Sequence, residues 1–356
     1  MTTIEPAPVP AFAPQPTWDA EPRRTPRSTF AGLTTNDDVA LAAVPGGGRA
    51  EVVFDFPGVR IGTAQYDEGP TGVTVVSIDG GARTAIDDRG GAVGITGRYP
   101  FNHAICLAGG SVHGTAAASG VTDALLERGG RRTGFADLAA VSGAVIYDFA
   151  VRDNAITPDA ALGRAAFERS REGVVEIGRV GAGVGGSCGK MRPASTEWAG
   201  QGAAFRQVGE LKILALTVVN AVGAVIDRDG TVLRGNVQED GTRRHPSIDG
   251  ALAFSEAGEQ AADGIQRGNT TLSVVVTNAR LEEIDLRQLA TQIHSSMHRG
   301  IQPFHTALDG DTLFLLTTDE VDLPSYDPRQ GLGPSVASFG AIASEVMWDA
   351  VIESVR

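Results

Sequence analysis

The sequence predicts a layered α+β domain, and three observations lead to this expectation. Glycine contributes 46 of the 356 residues, roughly twice its usual share of about 7%, which suits tight turns and close backbone approaches better than long helical bundles. Short strand-like segments recur between these glycines. The helical patterns stand in separate groups and do not alternate strictly with strands, which disfavours a doubly wound parallel sheet.

The folded part is expected to begin near Ala50. Apolar and β-branched runs bounded by glycine predict mostly antiparallel strands at residues 50–62, 71–79, 142–149, 211–220 and 224–235. The last run carries Asp229-Gly230 between apolar arms, which predicts a hairpin.

Three segments have helical patterns. Residues 111–128 are rich in alanine and glycine, which would allow close packing on a sheet. A second helix is predicted after Asp285 as its N-cap, with apolar residues at helical spacing until Gly300. These are Leu286, Leu289, Ala290, Ile293 and Met297. A third amphipathic pattern runs from Val336 to Ala350, just after Pro334.

The N-terminal tract, residues 1–45, differs from the rest. Its first 30 residues hold seven of the 18 prolines and no apolar run of the kind that a signal peptide needs. Such a tract cannot form a packed core, so it is predicted to be disordered or to extend as an arm across a neighbouring subunit. Residues 46–356 are predicted to form one domain. No apolar run approaches the ~18 residues of a membrane span, so a cytoplasmic location is expected.

Charge and cysteine content narrow the function classes. The formal net charge of −13 disfavours nucleic-acid partners, since their phosphates are bound by Lys and Arg, and disfavours anionic membranes. Cys106 and Cys188 are the two cysteines, and neither belongs to a CxxC pair. A disulfide framework or a zinc site is therefore not expected.

The glycine-rich stretch "VGAGVGGSCGK", residues 180–190, formally contains GxGxxG through Gly181, Gly183 and Gly186. A dinucleotide-binding turn should lead straight into a helix, but Pro193 stands where that helix should continue. The Walker spacing fails as well. The stretch is interpreted as a flexible or closely packed loop that presents Lys190.

The histidines do not form a recognised metal motif. His294 and His298 lie four residues apart on one predicted helix, but the glutamate of a metalloprotease is absent between them. They are interpreted as surface or interface histidines, and no metal is expected. A Ser-His-Asp hydrolase would usually carry GxSxG, which the chain lacks.

The stretch "GNTTLSVVVTN", residues 268–278, has a more specific chemical possibility. Leu272, Val274 and Val276 alternate with Thr271, Ser273 and Val275, which predicts a strand with both faces substantially apolar. The hydroxyl of Thr270 could attack the carbonyl of Asn269, and hydrolysis of the resulting ester would leave Thr270 as a new N-terminus. Its α-amine, with an ordinary pKa of roughly 7.7–8.0, could then serve as the base. A plain loop leading into a strand explains the same residues.

Polar residues at two other strand ends could join this site. Asp309 and Asp311 precede the apolar run at residues 313–316, and Asn220 ends the strand at 211–220. If these ends meet, the aspartates could orient Thr270 and the Asn220 amide could donate to an oxyanion. All three are also ordinary turn residues.

Several long stretches, in order along the chain, carry a family resemblance. They are "FDFPGV", "FNHAICLAGG", "AVIYDF", "GNTT", "QIHSSMHRGIQPFHT", "DGDTLF" and "AIASEVMWDAV". From about Ala50 to its end, the chain resembles the N-terminal-nucleophile-like hydrolases of the group that contains L-aminopeptidase/D-esterase and the β-aminopeptidases. Within that group it is most similar to the endo-type hydrolases of 6-aminohexanoate (nylon-6) oligomers.

This resemblance implies a four-layer αββα sandwich, cut between Asn269 and Thr270 into parts 46–269 and 270–356. It implies Thr270 as nucleophile with its own amine as base, Lys190 beside it, and Asn220 at the oxyanion. Asp309 and Asp311 would orient Thr270, and Tyr147 would line the substrate cleft. Similar proteins assemble as homotetramers, and no metal or organic cofactor is implied. The loop of Gly185, Gly186 and Cys188 and the stretch near His113 match less well and are expected to shape the substrate pocket.

The expected activity is cleavage of internal amide bonds in aminohexanoate oligomers through an acyl-threonine intermediate. Three alternatives stay open at this point. The same machinery could serve an aminopeptidase or esterase that recognises a free N-terminal amine. An N-acyltransferase could pass the acyl group to an amine, and a binding protein would leave the chain uncut.

Overall fold

The computed structural model describes residues 33–255, 268–324, 329 and 336–356. Its helices are α1 (Ala117–Arg128), α2 (Ala160–Glu168), α3 (Pro246–Ser255), α4 (Glu283–Ser296) and α5 (Val336–Glu353). Its first nine strands are β1 (Ala43–Val44), β2 (Ala50–Val53), β3 (Val59–Tyr66), β4 (Thr71–Asp88), β5 (Ile95–Thr96), β6 (Phe101–Ala108), β7 (Val141–Val145), β8 (Arg171–Glu172) and β9 (Val174–Ile177). The others are β10 (Ser187–Cys188), β11 (Glu197–Trp198), β12 (Gln201–Val208), β13 (Leu211–Asn220), β14 (Ala224–Ile226), β15 (Val232–Arg234), β16 (Thr270–Arg280), β17 (Ile301–Gln302) and β18 (Thr312–Asp322).

One long strand, β4, joins two sheet layers. The main sheet runs β12-β13-β16-β18-β4-β6-β7-β5, and β3 pairs with β4 as well. The first part of β4 pairs with β3 and β6, whereas its last residues pair with β18. Gly80 and Gly81 lie between these parts with φ of 78° and 80°, a conformation that glycine adopts without steric cost. The chain therefore turns at this point from one layer into the other.

The side-chain alternation of β16 shows how the layers stack. Leu272, Val274 and Val276 lie in a core between the two sheet layers, whereas Val275 and Ala279 lie in a second core with α4 and α5. A third core joins β3, β4, β6 and β7 to α1 and α2. The order is helices, sheet, sheet, helices, so the predicted four-layer sandwich is confirmed.

The predicted strands are found, with adjusted ends. Residues 50–62 form two strands, β2 and β3, and residues 142–149 end as a strand at Val145, which leaves Tyr147 beyond it. The hairpin around Asp229-Gly230 is present as β14 and β15. Pairing is mostly antiparallel, as expected, except that β16–β18 and β6–β7 are parallel. The strands β6 and β12 were not predicted separately.

The helix predictions need two corrections. Helix α4 begins at Glu283 with Glu282 as its N-cap, so Asp285 is not the cap. It lies in the first turn, where a negative charge favours the helix dipole. The segment 111–128 starts as a 3₁₀-helix and becomes α-helical only at Ala117. Pro334, the expected lead into α5, lies outside the described residues.

Helices α1 and α2 approach each other through glycines. A Cβ on Gly120 would lie 1.8 Å from the Ala160 carbonyl oxygen, and one on Gly163 would lie 1.9 Å from the Ala117 oxygen. The small residues of α1 therefore serve the contact with α2, a nine-residue helix that the sequence reading missed.

The end of the N-terminal tract, which is predicted as part of the arm, contacts the rest of the fold. Strand β1 pairs with β3, and Asn36 exchanges hydrogen bonds of 2.9 and 2.8 Å with the backbone of Thr157. Ala155 N–H also donates to Thr34 O at 2.7 Å. Residues 33–45 are thus docked on the domain, and residues 1–32 lie outside the described residues.

Candidate active site

Thr270 begins β16 at a junction of three strand ends. It pairs across the sheet with Asn220, the last residue of β13, and the preceding Asn269 forms a parallel bridge with Asp309. The turn before β18 therefore meets the start of the Thr270 strand, which is the condition for the two aspartates to lie near Thr270. Thr270, Asn220 and Asp309 are all buried, so their polar atoms interact in a water-poor environment where hydrogen bonds are strong.

The carbonyl between Asn269 and Thr270 receives two hydrogen bonds. Thr270 Oγ1 donates to the Asn269 oxygen at 2.5 Å, and Gly310 N–H donates to the same oxygen at 2.8 Å. A Cβ on Gly310 would lie 2.3 Å from Ala92 O and 2.9 Å from Thr270 Oγ1, so glycine is required for this approach. The hydroxyl and a polarising N–H thus converge on one peptide bond.

The two aspartates bind backbone N–H groups around this bond. Asp311 Oδ1 accepts from Thr271 N–H at 2.7 Å. Asp309 Oδ1 accepts from Val222 N–H at 3.2 Å, and its other oxygen accepts from Thr306. Burial raises the pKa of both carboxyls, that of Asp311 to about 6, where the charge of His294 opposes the rise.

Asn220 and Lys190 form a buried pair next to Thr270. Lys190 Nζ donates to Asn220 Oδ1 at 2.6 Å and to Asn220 O at 3.2 Å. Asn220 Nδ2 donates in turn to Tyr147 O at 3.0 Å and to Gly268 O at 3.2 Å. Burial lowers the pKa of the Lys190 ammonium to about 7, against the attraction of Asp309. At neutral pH the amine is therefore partly uncharged.

The glycine-rich loop is closely packed. A short 3₁₀-helix at Gly181–Gly183 leads into β10, so the helix that a dinucleotide turn needs does not follow. Gly189 has a φ of 73°, and a Cβ there would lie 2.1 Å from Asn236 N. Lys190 N–H donates to Val222 O at 2.7 Å. These contacts fix the backbone from which Lys190 reaches Asn220.

Tyr147 separates this junction from a cavity of about 430 Å³. A Cβ on Gly268 would lie 2.4 Å from Tyr147 Cδ1, so the ring packs directly on the residue before Asn269. The cavity is lined by Leu33, His113, Tyr147, Phe149, Asn154, Ala155 and Thr157. The stretch near His113 is expected from the sequence to shape the pocket, whereas nothing in the sequence indicates a role for Leu33.

A buried ion pair holds the segment that follows Tyr147. Arg152 Nη2 donates to Asp148 Oδ1 at 2.8 Å, and both side chains are 1% exposed. Asp148 also accepts from Thr71 Oγ1 at 2.6 Å and from Gly110 N–H at 2.9 Å. A buried pair needs such additional bonds to offset its desolvation. Neither residue was predicted, because the bonds from Thr71 and Gly110 that support the pair come from segments distant in sequence.

His294 is buried, which corrects its interpretation as a surface or interface histidine. Its Nδ1 lies 2.7 Å from Asp87 Oδ2, a carboxylate on a distant strand that helical spacing could not reveal. His298 is exposed. Within the described residues, no three His, Cys, Asp or Glu side chains are grouped to hold a metal. In the same part of the chain, no helix is long and apolar enough to cross a membrane.

Known proteins resemble the chain in sequence and in fold. A 6-aminohexanoate-oligomer endohydrolase of Paenarthrobacter ureafaciens is 55% identical over 339 residues, which cover 94% of each chain. A β-aminopeptidase of Burkholderia sp. has a TM-score of 0.59 at 18% identity and 88% coverage of both chains. An L-aminopeptidase D-Ala-esterase/amidase of Ochrobactrum anthropi, described as a variant of the Ntn hydrolase fold, has a TM-score of 0.58 at 16% identity, with 88% of this chain and 86% of that chain covered.

The family model of peptidase family S58 matches residues 51–356. That range contains the Thr270 junction and every described helix, and it begins in β2. Because the match covers far more than half of the sequence, and the 55% identical relative covers nearly all of it, the chain belongs to peptidase family S58.

Proposed function

We propose that this protein hydrolyses internal amide bonds of 6-aminohexanoate oligomers, with Thr270 as an N-terminal nucleophile that the chain generates by cutting itself. The observation that carries the proposal is the convergence of the Thr270 hydroxyl and the Gly310 N–H on the Asn269 carbonyl oxygen, at 2.5 and 2.8 Å. The substrate class follows from the relative at 55% identity, whose name specifies it.

The first step is self-cleavage. Thr270 Oγ1 attacks the Asn269 carbonyl carbon, its hydroxyl proton passes to the Thr270 nitrogen, and the Asn269–Thr270 C–N bond breaks. An ester then joins the two parts through the threonine oxygen. Gly310 N–H stabilises the oxyanion that forms on the way. Water hydrolyses the ester, which yields the carboxylate of Asn269 and the free α-amine of Thr270. The parts are then 46–269, together with the arm before it, and 270–356.

The second step is substrate hydrolysis. The α-amine accepts the hydroxyl proton of Thr270, whose oxygen attacks the substrate amide. Asn220 Nδ2, which holds Gly268 O in the intact chain, becomes available to the substrate oxyanion when that segment withdraws. Lys190 orients Asn220, while Asp309 and Asp311 fix the backbone around Thr270. The amine product leaves with the proton, and water hydrolyses the acyl-threonine ester.

The cavity beside Tyr147 supports an internal cut. Its volume of about 430 Å³ falls within the ~300–1,000 Å³ of typical ligand sites, and its aromatic and aliphatic side chains suit a polymethylene spacer. An aminopeptidase needs a negative group for the free ammonium of its substrate. The described residues that line the cavity include no acidic side chain, which favours the endo reaction over the aminopeptidase.

We further propose that the processed protomers form a homotetramer in the cytoplasm. Phe135 and Ile284, which are 95% and 76% exposed, are apolar side chains available to such an interface. Light scattering of the purified protein tests the assembly.

The intact mass of the purified protein, with N-terminal sequencing of any small fragment, tests the central claim. We expect a fragment that begins Thr-Thr-Leu-Ser, a full-length inactive Thr270→Ala variant and a processed Thr270→Ser variant. An uncut chain that still hydrolyses oligomers would disprove self-activation. An oligomer with an acetylated amino terminus separates the two peptidase activities, because an endohydrolase cuts it and an aminopeptidase does not.

A further inference from the structure

Two imidazole–carboxylate pairs lie behind the Thr270 junction. His294 Nδ1 lies 2.7 Å from Asp87 Oδ2, and His305 Nδ1 lies 2.9 Å from Asp311 Oδ2. The two imidazole rings meet edge to face, with centroids 4.3 Å apart. Asp311 of the second pair is a carboxylate of the proposed active site. His305 therefore bonds directly to that carboxylate, and His294 packs against the ring of His305.

His305 adopts a backbone conformation that brings two donors to one oxygen. Its φ is 55°, in the left-handed region that non-glycine residues rarely adopt and that often marks functional sites. In this conformation the backbone N–H reaches Asp311 Oδ2 at 3.1 Å, and ring Nδ1 reaches the same atom at 2.9 Å. An ordinary extended or helical residue would not be expected to present both groups in this way.

Asp311 is thereby fixed at both of its oxygens. Oδ1 accepts from Thr271 N–H at 2.7 Å, and Oδ2 accepts the two donors of His305. The carboxylate is fully buried, where the ionised form depends on such donors. We propose that His305 is a positioning residue of the reaction: its ring holds Asp311 ionised and aimed at the Thr270–Thr271 backbone. This inference rests on the proposed function of Thr270.

The charged and titratable groups around His305 support a neutral ring. Asp87 faces it from β4 and Arg89 from just after that strand. His294 faces it from α4 and His298 from the turn after that helix, and Asp309 does so from the loop before β18. Burial, together with the charges of His298 and Arg89, lowers the pKa of His305 to about 4, against the attraction of Asp87 and Asp309. An ionised Asp311 can only accept hydrogen bonds, so the donor in the bond between His305 Nδ1 and Asp311 Oδ2 is the imidazole. The single proton of the neutral ring is therefore on Nδ1.

The sign of the expected pH effect follows from this geometry. A donor to the ionised carboxylate lowers its pKa, so removing the donor raises it. The uncharged α-amine of Thr270, with an ordinary pKa of roughly 7.7–8.0, sets the first fall of kcat/KM as the pH drops, and ionised Asp311 sets a second fall through the pKa of that carboxyl. Without the His305 ring, this second part of the acidic limb of kcat/KM moves to higher pH.

Two variants of the full chain test the inference after complete processing. His305→Gly keeps the left-handed backbone and its N–H but removes the ring. His305→Asn tolerates the same backbone and restores a side-chain donor. We expect the acidic limb of kcat/KM for His305→Gly to move up by about one pH unit. At the low-pH end of that limb kcat/KM should be about tenfold lower than in the wild type, with little loss at pH 8.5. The limb of His305→Asn should stay near that of the wild type.

An unshifted limb in His305→Gly, or an equal loss at every pH, would overturn the inference. If His305→Gly does not fold, nitrogen-15 NMR of histidine-labelled wild type shows which ring nitrogen of His305 carries the proton. A neutral His305 with its proton on Nδ1 at pH 7 supports it, and a proton on Nε2 overturns it. Failure of the proposed function looks different, because it appears as oligomer hydrolysis without a fragment beginning at Thr270.

Discussion

Asn220 and Thr270 face each other across the β13–β16 pair, the last residue of one strand opposite the first residue of the other. This register places a side-chain amide beside the proposed nucleophile. Lys190 then fixes the orientation of the amide, because its Nζ lies 2.6 Å from Asn220 Oδ1 and leaves Nδ2 as the donor toward the site.

Replacement of Asn220 by Ala should lower kcat by about 10²–10³, the typical cost of one oxyanion donor, with a small change in KM. The measurement is steady-state hydrolysis of an oligomer, normalised to the processed fraction. Asn278→Ala is the matched control. Asn278 is a buried asparagine like Asn220, but it lies on β16 and bonds Glu210 O and Lys212 N–H at the other end of the sheet. A kcat within threefold of wild type for Asn220→Ala would remove Asn220 from the reaction.

Substitution of Gly268 by Ala should slow self-cleavage. Gly268 has a φ of 87°, and the new Cβ would lie 2.4 Å from Tyr147 Cδ1, so the segment before Asn269 must shift. Gly241→Ala provides the control, because Gly241 has a φ of 81° but nothing within 4 Å of its Cβ position. It should cost about 1 kcal/mol of stability and cleave normally. A time course of fragment formation on a denaturing gel separates the two, and equal rates would contradict the expected clash.

Local patterns in the sequence predicted a layered α+β domain, whereas the family resemblance implied its four layers and the roles of the residues at the junction. The alternation of side chains along β16 can be recognised within that short segment alone. Asn220, Asp309 and Asp311 each lie next to an apolar run. Other features depend on tertiary contacts. The bond between His305 and Asp311 requires a left-handed turn, and Leu33 reaches the cavity only because residues 34–36 dock on 155–157. No periodicity carries such information.

Leu33→Trp should weaken oligomer binding. Leu33 lines the cavity beside Tyr147, so a larger side chain would occupy space that we assign to a polymethylene spacer. We expect KM to rise by about tenfold, of the order seen for small changes in apolar pockets, with kcat changed by less than threefold. Leu138→Trp is the control, because Leu138 is exposed and does not line the cavity. An unchanged KM across oligomer lengths would place the spacer elsewhere.

Lys190 should make stability depend on pH, and the sign can be derived. Burial lowers its pKa to about 7 in the folded chain, whereas an unfolded lysine titrates near about 10.4. Between these values the unfolded chain binds a proton that the folded chain does not, so stability rises with pH across this window. Lys190→Met removes this contribution. The free energy of unfolding of the variant minus that of its parent should therefore be most favourable below pH 7 and fall as the pH rises.

Urea unfolding between pH 6 and 9 measures this difference, and Thr270→Ala is the parent so that the chain stays in one piece. The fall should approach but not exceed about 1.4 kcal/mol per pH unit, the limit for one proton. Lys212→Met serves as the control, since the Lys212 ammonium reaches the exposed Asp55 at 3.3 Å. The effect of Lys212→Met on the free energy of unfolding is measured over the same pH range for comparison. A flat difference for Lys190→Met would mean that the buried amine is charged throughout, and would leave Asn220 held by an ammonium at every pH at which the enzyme works.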